Sequence, residues 1–169
     1  KLYNTTPQKV MLSDTCRAKE YAAEVIGGGY LVPQLGTWKK FEEIDFEQLP
    51  DSFVLKVNHG CEECIPVRDK ATMDIEQLRQ SITEWLSHNY AFDNGFELQY
   101  MNISPRVFAE PYSDDDCQKK RCEVFCFGGI PRYILCQDTF FDLNGNKADI
   151  AYSDVQIENE TVCLPATDC

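Results

Sequence analysis

The chain has 169 residues and a formal net charge of −12, with 28 acidic residues against 16 lysines and arginines. This balance argues against a general nucleic-acid binder and against docking on an anionic membrane, because both require basic surfaces. Hydrophobic residues make up 43% of the sequence, enough for a packed interior. No apolar run approaches the roughly 18 residues that a membrane-spanning helix needs.

The first half of the chain is predicted to alternate helices with short strands. Apolar residues at helical spacing indicate a helix that begins at Ser13 and ends at the glycines of residues 27–29. After an acidic stretch, a strand is predicted over residues 53–58, with residues 65–67 as its return partner.

A second amphipathic helix is predicted where Asp74, with Gln77 three residues later, forms a capping box. Trp85 lies in its apolar stripe, which favours a core position for this side chain over a ligand contact.

The second half of the chain is predicted to be antiparallel β structure. Strands are expected over residues 106–112, 122–127, 132–137, 139–143 and 147–152. The last four form two hairpins across glycine-containing turns, and the charged residues 113–121 form an exposed loop. The layout predicts an α+β fold with helices packed on antiparallel sheets.

The strand over residues 53–58 is predicted to have two different faces. Side chains alternate along a strand, so an apolar face packs on the core while Lys56 and Asn58 lie on the other face. The strand runs into His59 and Gly60, a sharp exit where backbone N–H groups can be exposed. A lysine beside such a turn suits a phosphate-bearing ligand. A surface lysine on an edge strand is the alternative.

Glu110, Pro111 and Tyr112 end an apolar strand and precede a charged loop, which is typical of a hinge between two lobes. Proline removes a donor and fixes the path of the chain, which leaves neighbouring backbone groups free for a ligand. A strand end with a turn proline is the alternative, and the local pattern alone favours it.

The nine cysteines are an odd number, so at least one thiol has no partner within a monomer. We expect reduced cysteines in a cytosolic protein, because a chain of this length needs no disulfides. Cys126 and Cys136 lie in apolar runs, where a free cysteine behaves as a small buried hydrophobe. Asn-x-Ser/Thr triplets at Asn4, Asn102 and Asn159 would suit a cysteine-rich secreted domain instead.

Cys61 and Cys64 have the spacing of half a zinc site. The other half would need His59, or Cys122 with Cys126. A redox pair is a further alternative, although the residues after Cys64 look extended rather than helical. Incidental thiols are favoured over both.

In combination these segments resemble the TupA-like ATP-grasp proteins of bacterial polysaccharide and teichuronopeptide biosynthesis. The resemblance runs from about Ser13 to about Asn146. Its most specific parts, in chain order, are residues 30–33 with 35–36, 44–46 with 49–50, 53–60, 69–70, 85–86 with 89–90, 102–106, 109–110 and 125–129.

The resemblance implies an ATP-grasp fold, in which two α+β lobes hold ATP between them. Residues 1–50 would be an N-terminal helical and linker part, residues 51–105 the small lobe with the phosphate loop, and residues 106–169 the truncated start of the second lobe. The magnesium ligands of the family lie in a later segment, so we expect this sequence to be a fragment without the metal-binding part.

The resemblance also implies roles for particular residues. Lys56 would contact the nucleotide phosphates, His59 and Gly60 would open the loop that covers them, and Lys70 is a further candidate near that loop. The adenine hinge would consist of Glu110, Pro111 and Tyr112.

The activity that the resemblance implies is ATP-dependent activation of a carboxylate as an acyl phosphate, followed by transfer to a nucleophile. The expected ligands are ATP, magnesium and a carboxylate or sugar-linked substrate, and the expected location is the cytoplasm. The sequence itself does not identify a catalytic residue.

The phosphate loop departs from the family pattern. The family continues Gly-Ser-Gly-x-Asn, whereas here Gly60 is followed by Cys61, Glu62, Glu63 and Cys64. Glutamates beside a triphosphate repel it. A degenerate homologue that acts as a non-catalytic binding or scaffold module is therefore an alternative to the enzyme.

Overall fold

The computed structural model of this chain describes residues 5–60, 63–93, 96–112 and 122–150. These residues form three α-helices and seven strands in two antiparallel sheets, so the predicted α+β fold class is confirmed. The chain divides into two compact units, residues 1–114 and residues 115–169.

The helices are α1 (Pro7–Ser13), α2 (Thr15–Ile26) and α3 (Ile75–Ser87). The strands are β1 (Gly36–Trp38), β2 (Phe53–Val57), β3 (Cys64–Val67), β4 (Val107–Pro111), β5 (Cys122–Phe127), β6 (Ile130–Cys136) and β7 (Thr139–Phe141). Single 3₁₀ turns lie at Gly28–Tyr30, Phe41–Glu43, Phe46–Gln48, Lys70–Thr72, Tyr90–Phe92 and Leu98–Tyr100.

Side-chain caps fix where the helices begin. The carboxylate of Asp14 accepts hydrogen bonds from the amides of Cys16 and Arg17, so α2 begins at Thr15, two residues later than the predicted Ser13. The prediction missed α1, a short helix capped by Thr6. Asp74 caps α3 as predicted, by accepting from the amides of Glu76 and Gln77.

The first sheet has the order β1-β4-β2-β3, with every pair antiparallel. The predicted return strand is confirmed, because Phe53 lies opposite Val67 and Leu55 opposite Ile65. β4 is a central strand of this sheet, between β1 and β2. The sequence analysis placed this strand at the start of a second lobe. The division of the chain into residues 1–50, 51–105 and 106–169 stays a prediction.

The core of the first unit lies on one face of this sheet. Phe53 and Leu55 of β2 are fully buried, and they belong to one cluster with Leu78 and Ile82 of α3. Trp85 packs against the same cluster, as its position in the apolar stripe predicted. The two-faced character of β2 is therefore confirmed on its apolar side.

Asn58 joins three parts of the first unit just after β2. Its side chain is fully buried, its Nδ2 donates to the carbonyl of Ser104 (3.1 Å), and its Oδ1 accepts from the amide of Arg106 (2.7 Å). Its backbone carbonyl accepts from the amide of Thr15 (2.9 Å) at the start of α2. The side-chain amide of Asn58 therefore stabilises the backbone of the first unit and does not face a polar ligand.

The second unit contains a three-stranded meander in the order β5-β6-β7. The predicted β5–β6 hairpin is confirmed, and Gly128 and Gly129 both adopt positive φ in its turn (58° and 79°). In the second predicted hairpin, Phe141 pairs with Lys147 as an isolated bridge and no strand continues to residue 150. The rest of that predicted strand, and the loop over residues 113–121, lie outside the described residues.

A disulfide joins Cys122 of β5 to Cys136 of β6. The two residues lie directly opposite each other with their Cα atoms 4.4 Å apart, the close spacing of a non-hydrogen-bonded antiparallel pair. The expectation of reduced cysteines is wrong for this pair, because the expectation ignored cross-strand register. Cys126 is exposed rather than buried, and Cys16 is a buried free thiol.

We expect Asn58→Ala to lower the free energy of unfolding by about 2–4 kcal/mol, because it leaves a buried amide and a buried carbonyl without partners. Urea unfolding followed by circular dichroism measures this loss. Gln80→Ala, which removes an exposed amide from α3, is the matched control and should change stability by no more than about 0.5 kcal/mol. Equal stability of the two variants would contradict the role assigned to Asn58.

We expect peptide mapping without reduction to recover Cys122 and Cys136 as one cross-linked pair. Cys64 and Cys126 are exposed free thiols, so they should react with iodoacetamide in the native protein. Reduction should free the pair and destabilise the second unit by about 3 kcal/mol, as expected for a loop of this length. Rapid alkylation of Cys122 and Cys136 in unreduced protein would refute the disulfide.

Candidate functional site

Two lysines share one buried carboxylate in the first unit. The Nζ of Lys56 lies 2.7 Å from Oε2 of Glu110, and the Nζ of Lys19 pairs with Oε1 of the same side chain. We refer to Lys19, Lys56 and Glu110 as the Glu110 ion group. Lys19 also donates to the carbonyl of Val32 (2.7 Å), which fixes its amine over the sheet.

Strand register explains why these side chains meet. Lys56 of β2 lies opposite Phe108 of β4, and Val54 lies opposite Glu110. Residues two apart on a strand share a face, so Lys56 and Glu110 are diagonal neighbours on the same side of the sheet. α2 crosses this side and brings the amine of Lys19 to 5.8 Å from the ring centroid of Phe108.

The three members of the Glu110 ion group differ in their access to solvent. The side chain of Glu110 is 7% exposed, that of Lys19 is 20% exposed, and that of Lys56 is 40% exposed. A buried carboxylate stays charged only when it is paired, and two amines provide that pairing here. Lys56 is therefore the member that can reach a ligand in solvent.

His59 has a structural position rather than a ligand-facing one. It is 3% exposed, its Nε2 lies 3.1 Å from the carbonyl of Trp85 at the end of α3, and its ring packs edge-on against Tyr90. The carbonyl of Trp85 only accepts and is the nearer oxygen, so we place the proton of the neutral ring on Nε2. Nδ1 lies 3.3 Å from Oδ1 of Asn58. Burial is the main cause that lowers the pKa of His59, which keeps the ring neutral. This residue anchors the exit of β2 to α3.

Gly60 is closely approached by the side chain of Glu63. A Cβ atom at Gly60 would lie 2.2 Å from an Oε of Glu63 and 3.3 Å from the ring of Tyr90. Burial and a hydrogen bond to Glu63 raise the pKa of Tyr90, so its hydroxyl stays protonated and donates to that carboxylate. An acidic group therefore lies where the predicted phosphate loop begins, while Cys61 and Glu62 lie outside the described residues.

Lys70 lies at the opposite end of β2 from Lys56. Its backbone amide donates to Asp51 (2.7 Å), just before β2, and its Nζ donates to the carbonyls of Phe46 (3.0 Å) and Leu49 (2.8 Å). Lys56 is five residues beyond Asp51, on the order of 15 Å along an extended chain. The structure therefore does not bring Lys70 together with the Glu110 ion group.

Among the predicted hinge residues, Pro111 is the one whose carbonyl faces the β1 side of β4. The amide of Leu35 donates to the carbonyl of Ala109 (2.8 Å). The backbone N–H and C=O groups of odd-numbered residues in β4 therefore point towards β1. Among the described residues β1 pairs with β4 no further than Gly36 with Ala109. The carbonyl of Pro111 therefore lies on the β1 side of β4, beyond the last paired residue of β1.

Tyr112 contacts an arginine that follows β3. The Nε of Arg68 donates to the hydroxyl of Tyr112 (2.9 Å), and its guanidinium lies 5.9 Å from the centroid of the same ring. The predicted hinge residues thus include a backbone carbonyl at Pro111 and a tyrosine whose ring is in contact with Arg68.

Sequence reasoning missed Lys19. It lies in α2 beside the apolar residues that predicted the helix, and nothing in its local pattern distinguishes it from a surface lysine. Its contact with Glu110 spans 91 residues of sequence, so it depends on how α2 crosses the sheet. The described residues contain no group of three or more His, Cys, Asp or Glu side chains that could hold a metal ion.

The family model for TupA-like ATPgrasp proteins matches residues 1–162. The chain belongs to the TupA-like ATP-grasp family. The resemblance inferred from the motifs is thereby confirmed, and the match extends beyond the residues that suggested it. No curated protein and no solved structure matches this chain. Within the described residues, no helix of this family member has the length and apolar character to cross a bilayer.

We expect the free energy of unfolding to fall as the pH decreases below about 6.5, the ordinary pKa of histidine. The folded chain holds His59 neutral with a lowered pKa, whereas the unfolded chain takes up a proton at the ordinary value. Protons therefore bind more strongly to the unfolded state, and stability is lost towards acid. Urea unfolding between pH 5 and 7.5 measures this slope.

His59→Gln should remove the histidine contribution to the dependence of stability on pH, and His88→Gln should keep it. These two variants cover both histidines of the chain. Identical slopes in both variants would show that another group is responsible.

Proposed function

We propose that this protein is the ATP-binding part of an ATP-grasp enzyme, which uses ATP to activate a carboxylate for ligation in cell-surface polysaccharide biosynthesis. The observation that supports this best is the half-exposed amine of Lys56, which lies on the strand that leads to Gly60 and is paired with a buried carboxylate. Family membership supports ATP as the ligand.

The pairing of Lys56 with Glu110 is compatible with phosphate binding, because Glu110 has a second partner. Phosphate oxygens form strong, charge-assisted hydrogen bonds with an ammonium group and can compete for the Lys56 amine. When that amine turns to a phosphate, the more buried Lys19 still neutralises Glu110. Lys19 is thus a positioning residue that lets Lys56 exchange one anionic partner for another.

The adenine base would bind beside Pro111 at the end of β4, on the side of this strand that faces β1. The carbonyl of Pro111 lies beyond the last paired residue of β1. The exocyclic amine of the base would donate a hydrogen bond to this carbonyl. Glu110 contributes to this site through its side chain and the ion pairs, since its backbone groups face β2. Of the three predicted hinge residues, Pro111 is therefore the one proposed to contact the base.

Magnesium, when bound, would bridge the nucleotide phosphates and offset their charge. The described residues do not provide a matching ligand set, so we assign no step of the proposal to the metal. What these residues do is hold the phosphates at Lys56 and the base at Pro111.

A degenerate homologue without catalytic activity is the second candidate. The observation in its favour is the carboxylate of Glu63 against Gly60, because a negative charge at this point opposes a triphosphate. A cytoplasmic location is also part of the proposal, and the Cys122–Cys136 disulfide is an observation against it, since disulfides are rare in the cytosol.

We expect Lys56→Ala to weaken Mg·ATP binding by at least about tenfold, because it removes a charge-assisted contact to phosphate. Glu110 keeps Lys19 in this variant, so the fold should be retained. Isothermal titration calorimetry gives the affinity, and circular dichroism checks the fold.

Lys40→Ala is the matched control, since Lys40 is an exposed lysine outside the Glu110 ion group, and it should bind as the parent protein does. Unchanged affinity in a folded Lys56→Ala variant would show that the nucleotide site is misplaced. No Mg·ATP binding by the parent chain would favour the degenerate homologue.

A further inference from the structure

A cavity at the start of α2 gathers three cationic side chains in this acidic protein. It has a volume of about 280 Å³, and its walls include Arg17 of α2, Lys39 after β1 and Arg106 before β4. One carboxylate, that of Asp14, lines it as well. The cavity therefore carries more positive than negative charge, although the whole chain is strongly negative.

The carboxylate of Asp14 already accepts three hydrogen bonds. Its Oδ1 accepts from the amides of Cys16 (3.0 Å) and Arg17 (3.3 Å), and its Oδ2 accepts from a terminal nitrogen of Arg106 (2.9 Å). The amide of Lys39 donates to Glu43, whose carboxylate does not line the cavity. Within the described residues, the guanidinium of Arg17 and the amine of Lys39 have no ion-pair partner.

Arg106 also retains unused hydrogen-bonding capacity. Its side chain is 24% exposed, and its Nε is buried without an acceptor among the described residues. Unpartnered buried donors are uncommon in proteins and call for an explanation such as an absent water or ligand. Asn102 and Ser104, which also line the cavity, add polar groups that can donate to an anion.

This cavity is separate from the Glu110 ion group. Arg17 and Lys19 are two residues apart on α2, so their side chains point about 200° from each other around the helix axis. Lys19 lies over the sheet and Arg17 lines the cavity. Neither Lys56 nor Glu110 lines the cavity, so a ligand could occupy it without displacing those ion pairs.

We propose that this cavity binds a small organic oxyanion through Arg17, Lys39 and Arg106. Guanidinium groups bind planar carboxylates and phosphates through paired hydrogen bonds, and both groups share this chemistry. The cavity volume is at the lower end of the range for small-molecule sites. A ligand of amino-acid or monosaccharide size, carrying a carboxylate or a phosphate, fits these limits.

The test titrates the parent chain with sodium phosphate and, separately, with sodium malonate, at constant ionic strength. Nuclear magnetic resonance follows the Nε–H signals of Arg17 and Arg106, which report on this cavity directly. We expect saturable shifts with a dissociation constant on the order of 1 mM for at least one of the two anions. The anion that binds more tightly identifies the ligand as a phosphate or a carboxylate compound.

The decisive variant is Arg17→Gln with Lys39→Gln, which should weaken binding at least about tenfold. Both side chains are exposed, so the fold should persist. Lys40→Gln with Arg132→Gln removes the same charge from exposed positions outside the cavity, and it should bind as the parent does. Equal affinity in these two double variants, or no saturable shift with either anion, would overturn the proposal.

Lys56→Ala separates this site from the nucleotide site. We expect it to leave the phosphate and malonate shifts unchanged while it weakens Mg·ATP binding. Loss of the anion shifts in Lys56→Ala would mean that the anion occupies the nucleotide site, and would also overturn the proposal. Retained anion shifts without any ATP binding would refute the proposed nucleotide site alone.

Discussion

The buried carboxylate of Glu110 is the constraint on which the arrangement of the first unit depends. A charge at 7% side-chain exposure is costly unless it is paired, and its two partners come from different elements, Lys56 from β2 and Lys19 from α2. Both pairs form only if β2 and β4 keep their register and α2 crosses the same face. The ion group thus links strand pairing, helix placement and the exposure of the Lys56 amine.

The segment that ends β2 combines two buried structural residues with the lysine that we propose binds a ligand. Asn58 and His59 are buried. The side-chain amide of Asn58 hydrogen-bonds to the backbone of Ser104 and Arg106, and the imidazole of His59 hydrogen-bonds to the end of α3. Lys56 turns outward on the opposite face from the core. A sequence motif that looks uniformly functional therefore contains mostly positioning residues, and their rigidity is what presents the lysine at a defined place.

Local patterns predicted the elements that local interactions determine. The cap at Asp74, the alternation along β2 and the glycine turn between β5 and β6 are each set by a few adjacent residues. The missed features are non-local. Neither the contact of Lys19 with Glu110 nor the burial of Asn58 has a signal within its own segment. The bond between Cys122 and Cys136 depends on cross-strand register, which a simple count of cysteines ignores.

The distribution of charge is compatible with the anion sites that we propose for this acidic chain. Screening at physiological salt limits electrostatic influence to about 8 Å, so a bound anion responds to nearby cations more than to the total charge of −12. Lys19 and Arg17 lie two residues apart on α2 and face different sites, one over the sheet and one at the cavity. The same helix therefore supplies a cation to each site, while its cap, Asp14, holds Arg106 in the cavity wall.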